Sequence, residues 1–306
     1  MKTTHTSAHV VAATDGSPGS RAAVIYAAHE ATTRGLPLEI VHVMPAFLPS
    51  GPFPVAPDAA MHRSAHAVLN AAGDLAAEAA PHLEITTRLL HGERVDSLVA
   101  HTRDAALLVV GAPPHNLAQR LWTGSTVTST AARVVCPLLI VPPVRAEATR
   151  TGRVVVGLKT TQHAEHLLGA AFAVARQTQS DLSVVHAWHL LSAYDDAIAA
   201  RTTTQDAITE QVRRIEDSMI DLRLAYPEVQ VRVELTHGQA AFALVRESAE
   251  ADLLMVSRPA HGGFVHYLGS TARAVIRESE CPVELVPPLD EAHEVELVED
   301  VGALVP

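Results

Sequence analysis

The sequence predicts two doubly wound α/β domains in tandem. Each is a parallel five-stranded sheet of strand order 3-2-1-4-5, and the two are expected to be related by an internal pseudo-twofold. Three observations carry the fold class. Short continuous apolar runs alternate with longer helical patterns, as in parallel sheets whose strands are buried on both faces and joined by right-handed crossover helices. This alternation occurs twice along the chain. The later half also matches the earlier at a shift of 144 to 146 residues.

At a shift of 144, Val10, Val11, Ala27, Leu38, Val41 and His42 meet Val154, Val155, Ala171, Leu182, Val185 and His186. At 146, the segment from His91 lies on the segment from His237. At 145, Gly124-Ser125-Thr126 meets Gly269-Ser270-Thr271, and Cys136-Pro137 meets Cys281-Pro282. Preserved order with a drift of one or two residues marks a tandem duplication. The expected domains are 1–146 and 147–290, with an acidic, solvated tail at 291–306.

In the first copy the expected strands are His9–Thr14, Leu38–Val43, Leu83–Leu90, Leu107–Gly111 and Leu138–Val141. In the second they are Arg153–Leu158, Leu182–Ala187, Val229–Thr236, Leu253–Ser257 and Val283–Val286. Helices are expected over Pro18–Arg34, Ala60–Ala80, Arg94–Thr102 and Ser125–Val135. Ser17 before Pro18 reads as an N-cap with proline at the first helical position. Pro81 and Pro137 are helix stops. The proline-rich stretch Pro45–Pro57 reads as a surface loop.

Composition bounds the function. The 306 residues are 48% hydrophobic but only 4% aromatic, so a core forms and is aliphatic. A net charge of −11 argues against a general nucleic-acid binder, which needs a Lys/Arg excess on one face. No run of about 18 apolar residues exists to span a membrane. The polar Met1–His9 has no signal core, and two cysteines fit a reducing compartment. The expectation is a cytoplasmic protein.

Ligands of open α/β sheets bind beyond the carboxyl ends of strands, where strand order reverses. After strand one stand Thr14-Asp15-Gly16-Ser17. After strand four stand Gly111-Ala112-Pro113-Pro114, then Gly124-Ser125-Thr126 opening a helix. Glycines admit close backbone approach, and a helix start favours an anion. Asp15 suits a ribose or base edge, or Mg²⁺. A plain turn at Asp15-Gly16 and a plain helix cap at Gly124-Ser125 account for the same residues.

Together, Val10-Val11-Ala12-Ala13-Thr14-Asp15-Gly16-Ser17 with Ser20, Ile40-Val41-His42-Val43, Leu107-Leu108-Val109-Val110-Gly111, Gly124-Ser125 and Cys136-Pro137 resemble the universal stress protein family. The second copy repeats the resemblance at His186-Ala187, Gly262-Gly263-Phe264, Gly269-Ser270 and Cys281-Pro282. The resemblance implies five-stranded parallel domains that pair through strand five. It also implies ATP or AMP binding in some members and a role in stress survival. It carries over Ala13, Thr14, Asp15, Val43, Val110, Gly111, Gly124, Ser125, Thr126 and Val127 as candidate nucleotide contacts, Val43 through its backbone. Asp15 is the candidate Mg²⁺ contact, through the nucleotide.

The pattern of nucleotide-binding members is G-x-x-G, nine residues, G-(S/T). The first copy keeps Gly111, the spacing, Gly124 and Ser125, but has Pro114, with no N–H, at the second glycine. The second copy departs further. Lys159 replaces the aspartate, Ser257 and Ala260 replace the first two glycines, and eight residues separate Ala260 from Gly269. Its site reads as degenerate. The rival reading has Lys159 bind another anion with the Gly269 helix start, assisted by Arg258 or His261.

Other side chains point to structure. His42 and His186 hold equivalent places and suit an internal hydrogen bond. His62 and His66, at i, i+4, have no third metal ligand nearby. Cys136 and Cys281 suit small buried hydrophobes. No GxSxG, Walker lysine or HExxH motif occurs. The expected function is regulatory and non-enzymatic, with ATP, alone or with Mg²⁺, in the first domain only. Homodimerisation and an unnamed protein partner are compatible with it. The rivals are a non-nucleotide interaction module and a weak ATPase.

Overall fold

The computed structural model describes residues 8–50, 53–55, 57–112, 126–143, 150–161, 164–188, 205–258 and 268–288. The chain forms two compact units whose main segments divide at 148/149.

The first unit runs β1 (Val10–Ala13), α1 (Pro18–Arg34), β2 (Leu38–Met44), a short antiparallel pair β3 (Leu48–Ser50) and β4 (Phe53–Val55), α2 (Ala59–Ala79), β5 (Ile85–His91), α3 (Arg94–His101), β6 (Leu107–Gly111), α4 (described over 126–133) and β7 (Leu138–Val141). The sheet order is β5-β2-β1-β6-β7, which is 3-2-1-4-5 in strand order of the unit. All pairings are parallel, with Val10 opposite both Leu38 and Leu107, and Val109 opposite Leu139. Strands β1, β2, β6 and β7 are buried almost throughout. Each buried aliphatic side chain contributes roughly 1.5–3 kcal/mol, so these strands dominate stability. Edge strand β5 is half-exposed.

Helix α1 begins at Ser17, whose hydroxyl accepts from the Ser20 amide, with Pro18 at the first turn. It ends at Gly35 in the left-handed conformation, φ 65°. Its buried face is mostly alanine, with Ala23, Ala27, Ala28 and Ala31 fully covered, so its backbone lies close on the sheet. Helix α2 stops one residue before Pro81, capped by Ala80.

The stretch 45–57 reads in the sequence as a surface loop, and within it Leu48 pairs with Val55 and Ser50 with Phe53. Proline argues against central strands, yet a two-stranded ribbon has free edges where a missing N–H costs no ladder bond.

The second unit runs β8 (Arg153–Gly157), α5 (Glu165–Thr178), β9 (Asp181–Trp188), α6 (Gln205–Asp217), α7 (Ile220–Ala225), β10 (Val231–His237), α8 (Ala240–Ser248), β11 (Leu253–Ser257), α9 (Ser270–Glu278) and β12 (Val283–Val286). Its order, β10-β9-β8-β11-β12, is again 3-2-1-4-5.

One polar network is reversed in sign between the copies. In the first unit the buried carboxylate of Glu39 accepts from Arg88 Nε at 2.6 Å and His101 Nε2 at 2.7 Å, with His9 Nε2 at 3.5 Å. In the second unit the cation stands at the centre. Arg153, at the place of His9, donates to Ser183 (2.9 Å), Glu234 (3.1 Å) and Glu247 (2.8 Å), at the places of Glu39, Arg88 and His101. Both versions pair their buried charge, as low dielectric requires.

Candidate functional site

Strand β1 pairs with β2 on one side and β6 on the other, so three carboxyl ends lie side by side. Between them opens a cavity of about 400 Å³, in the range of small-molecule sites. It lies at the point where the strand order reverses, the favoured ligand crevice of this architecture.

Local hydrogen bonds build its rim. Asp15 Oδ1 accepts from the Ser17 amide at 2.9 Å, closing an Asx turn. Gly16 has φ +79°, and a Cβ there would stand 3.2 Å from Val68. Thr14 Oγ1 and Ser20 Oγ are 3.2 Å apart, and Ser20 Oγ donates to the Ser17 carbonyl at 3.0 Å. The turn reading of Asp15-Gly16 therefore holds, and the same turn fixes the carboxylate at the cavity. Partial burial works against the charge of Asp15. Hydrogen bonds from Ser17 and Ser20 and the nearby Arg94 charge outweigh it, holding the carboxyl below its ordinary range. At neutral pH the rim carries an anion.

Eight of the ten candidate contacts line this cavity: Ala13, Thr14, Asp15 and Val43, and Val110, Gly111, Thr126 and Val127. Gly124 and Ser125 lie outside the described residues, as does Pro114. The glycine at 111 has a packing cause of its own. A Cβ there would come within 2.6 Å of the Gly19 backbone and 2.8 Å of the Ser20 amide. The first turn of α1 lies directly on β6, so glycine is demanded without any ligand.

Sequence reasoning missed His42, Arg94, Leu98 and Thr130, which also line the cavity. Arg94 and Leu98 come from α3, placed by Gly92 (φ +132°), whose amide donates to the Met44 carbonyl at 3.0 Å. A signal existed at Arg94: the repeat matches His91-Gly92 to His237-Gly238 but sets Arg94 against Ala240. A charge present in one copy alone marks a difference between the two sites.

The second unit differs at the corresponding place. Leu158 is buried where the first unit has Thr14, and a Cβ on Gly157, at the place of Ala13, would stand 2.7 Å from Leu244. Lys159 is exposed. Arg258 is buried and engaged within the protein. Ser257 ends β11 exposed, and Gly269 caps α9, while Ala260, His261 and the Gly262-Gly263-Phe264 stretch fall outside the described residues.

His42 Nδ1 meets the Thr14 carbonyl at 2.7 Å and His186 Nδ1 meets that of Leu158 at 2.9 Å, the internal hydrogen bond expected of equivalent histidines. The His62 and His91 rings lie tilted at 42° with centroids 5.8 Å apart, and His66 is exposed. Among the described residues no group of three or more His, Cys, Asp or Glu is placed to hold a metal. Cys136 and Cys281 are buried and not joined in a disulfide. No helix among the described residues is long and apolar enough to cross a membrane.

Fold and site together define a tandem α/β protein of the doubly wound class, with a small-molecule cavity in its first unit. The model of the universal stress protein family matches residues 7–142 and 151–287, and the chain belongs to that family. Two universal stress proteins of Mycobacterium tuberculosis are each 26% identical to it. The alignments cover 92% and 90% of this chain and 96% and 95% of theirs. A crystal structure of a universal stress protein from Archaeoglobus fulgidus shares the fold at TM-score 0.66 and 18% identity, over 92% of this chain and 98% of its own.

Proposed function

We propose that the first-unit cavity binds an adenine nucleotide and that its occupancy regulates the protein's conformation or choice of protein partner during stress adaptation in the cytoplasm. The carrying observation is the convergence of the Asp15 turn, Val43, Gly111 and the α4 face with Thr126 and Val127 on one cavity of suitable size. Helix α1 begins at Pro18, which lines the cavity, so an anion is favoured there. The Asp15 carboxylate is a ligand for Mg²⁺ carried in by the phosphates. The second unit is read as degenerate, because buried Leu158 stands at the place of Thr14 and exposed Lys159 at the place of Asp15. The protein is read as a non-enzyme.

Calorimetric titration of ATP with Mg²⁺ into the full chain and into Asp15→Ala tests this. One saturable site per chain, lost or much weakened in Asp15→Ala, is expected. Absence of binding to the unsubstituted chain removes the nucleotide reading and leaves the interaction-module alternative.

A further inference from the structure

On the reading that the cavity takes a nucleotide, we infer that Thr130 is a specificity-determining contact for the heterocyclic base. Thr130 lies on α4, lines the cavity and is 1% exposed. Its Oγ1 is out of reach of water and has no hydrogen-bond partner. Helical threonines ordinarily turn their hydroxyl back onto the preceding turn. Thr32 does so onto Ala28 at 2.8 Å, and Thr178 onto Val174 at 2.9 Å. Thr130 does not.

Packing does not call for this hydroxyl. At the matching place the second copy has Val275, 0% exposed and of the same shape. The other buried hydroxyls of the lining, Thr14 and Ser20, bond to each other. A buried polar group without a partner is rare and asks for a cause. Rotation about χ1 exchanges the threonine methyl and hydroxyl, so the group is able to serve whatever fills the cavity.

The surroundings select the chemistry. Val41, Thr130 and Leu98 are the least exposed lining residues, at 0%, 1% and 3%, and Thr130 is the buried hydroxyl of the lining that is not already taken up by another. Thr130 is also one turn beyond Thr126 along α4, roughly 6 Å. A phosphate at that depth would be a buried charge without a cation, because the lining Arg94 is exposed. A neutral heterocycle suits that end of the cavity, with one polar ring-edge atom on Thr130.

The test uses the full chain with Thr130→Val and Thr130→Ser, titrated with adenosine, AMP and ATP with Mg²⁺, and melted without ligand. Thr130→Val is expected to raise the ligand-free Tm by a few degrees and to weaken adenosine and ATP by the same factor, about tenfold. Thr130→Ser should retain affinity. Unchanged affinity in Thr130→Val, a loss confined to ATP, or a lowered Tm would overturn the base contact while the nucleotide reading stands. An unsubstituted chain that binds none of the three probes overturns both.

Discussion

His42 Nδ1 sits 2.7 Å from the carbonyl oxygen of Thr14, and the repeat reproduces the bond between His186 and Leu158 at 2.9 Å. A carbonyl only accepts, so Nδ1 carries the proton in both rings and the neutral tautomer is fixed. The bond ties the end of the second strand to the residue leaving the first, and in the first unit it steadies the turn that presents Asp15. His42→Ala and His186→Ala should each cost about 1 kcal/mol in urea unfolding, the net value of one such bond. His42→Ala should also weaken the ligand of the first unit, whereas His186→Ala should leave it unchanged.

Gly111→Ala should lower stability by about 1–3 kcal/mol without any ligand, because the added methyl overpacks against the Gly19–Ser20 backbone. A thermal melt of the ligand-free variant checks this. A Tm equal to the parent's would mean that the first turn of α1 shifts freely and that the glycine serves only the ligand.

Glu39 gives the first unit an acid-sensitive element. Burial opposes its charge, but Arg88 and His101 outweigh burial and hold the carboxyl below its ordinary 4.5. With the folded value lowered, the added stability is fully present above about pH 4.5 and is lost as pH falls through the folded value. Glu39→Gln should therefore be less stable than the parent at pH 7, with the difference shrinking below the carboxylate range. Denaturant midpoints at several pH values read this out.

Helix α5 ends at Gln179 with φ 52°, the only non-glycine of positive φ among the described residues, where the first copy ends α1 with Gly35. A side chain in the left-handed region costs roughly 1–2 kcal/mol, so Gln179→Gly should raise the Tm despite the extra freedom of the unfolded chain. A lowered Tm would show that the Gln179 side chain contributes more than its backbone strain costs.

The fold was legible because it rests on periodicity. The runs Leu107–Gly111, Leu138–Val141, Leu253–Ser257 and Val283–Val286 are strands with the bounds read from sequence, and α1 keeps its Ser17 cap. The β3–β4 pair was not legible, since Pro49 and Pro54 disguise it. At the site, turn-forming Asp15 and the strand-end Gly111 announced themselves by chemistry and position, and Val110 through the family resemblance. Arg94, Leu98 and Thr130 did not, because a helix residue shows which cavity it reaches only after the helix has packed.

The sequence by itself determined the duplication, the fold class and the acidic turn after the first strand, since these depend on patterns between near neighbours and on matched spacing. Tertiary structure alone decided that Gly111 is pressed by Gly19, that the Glu39 and Arg153 networks mirror each other in charge, and that Thr130 is left with an unanswered hydroxyl. Those depend on which distant side chains share one dry space, and no local pattern encodes that.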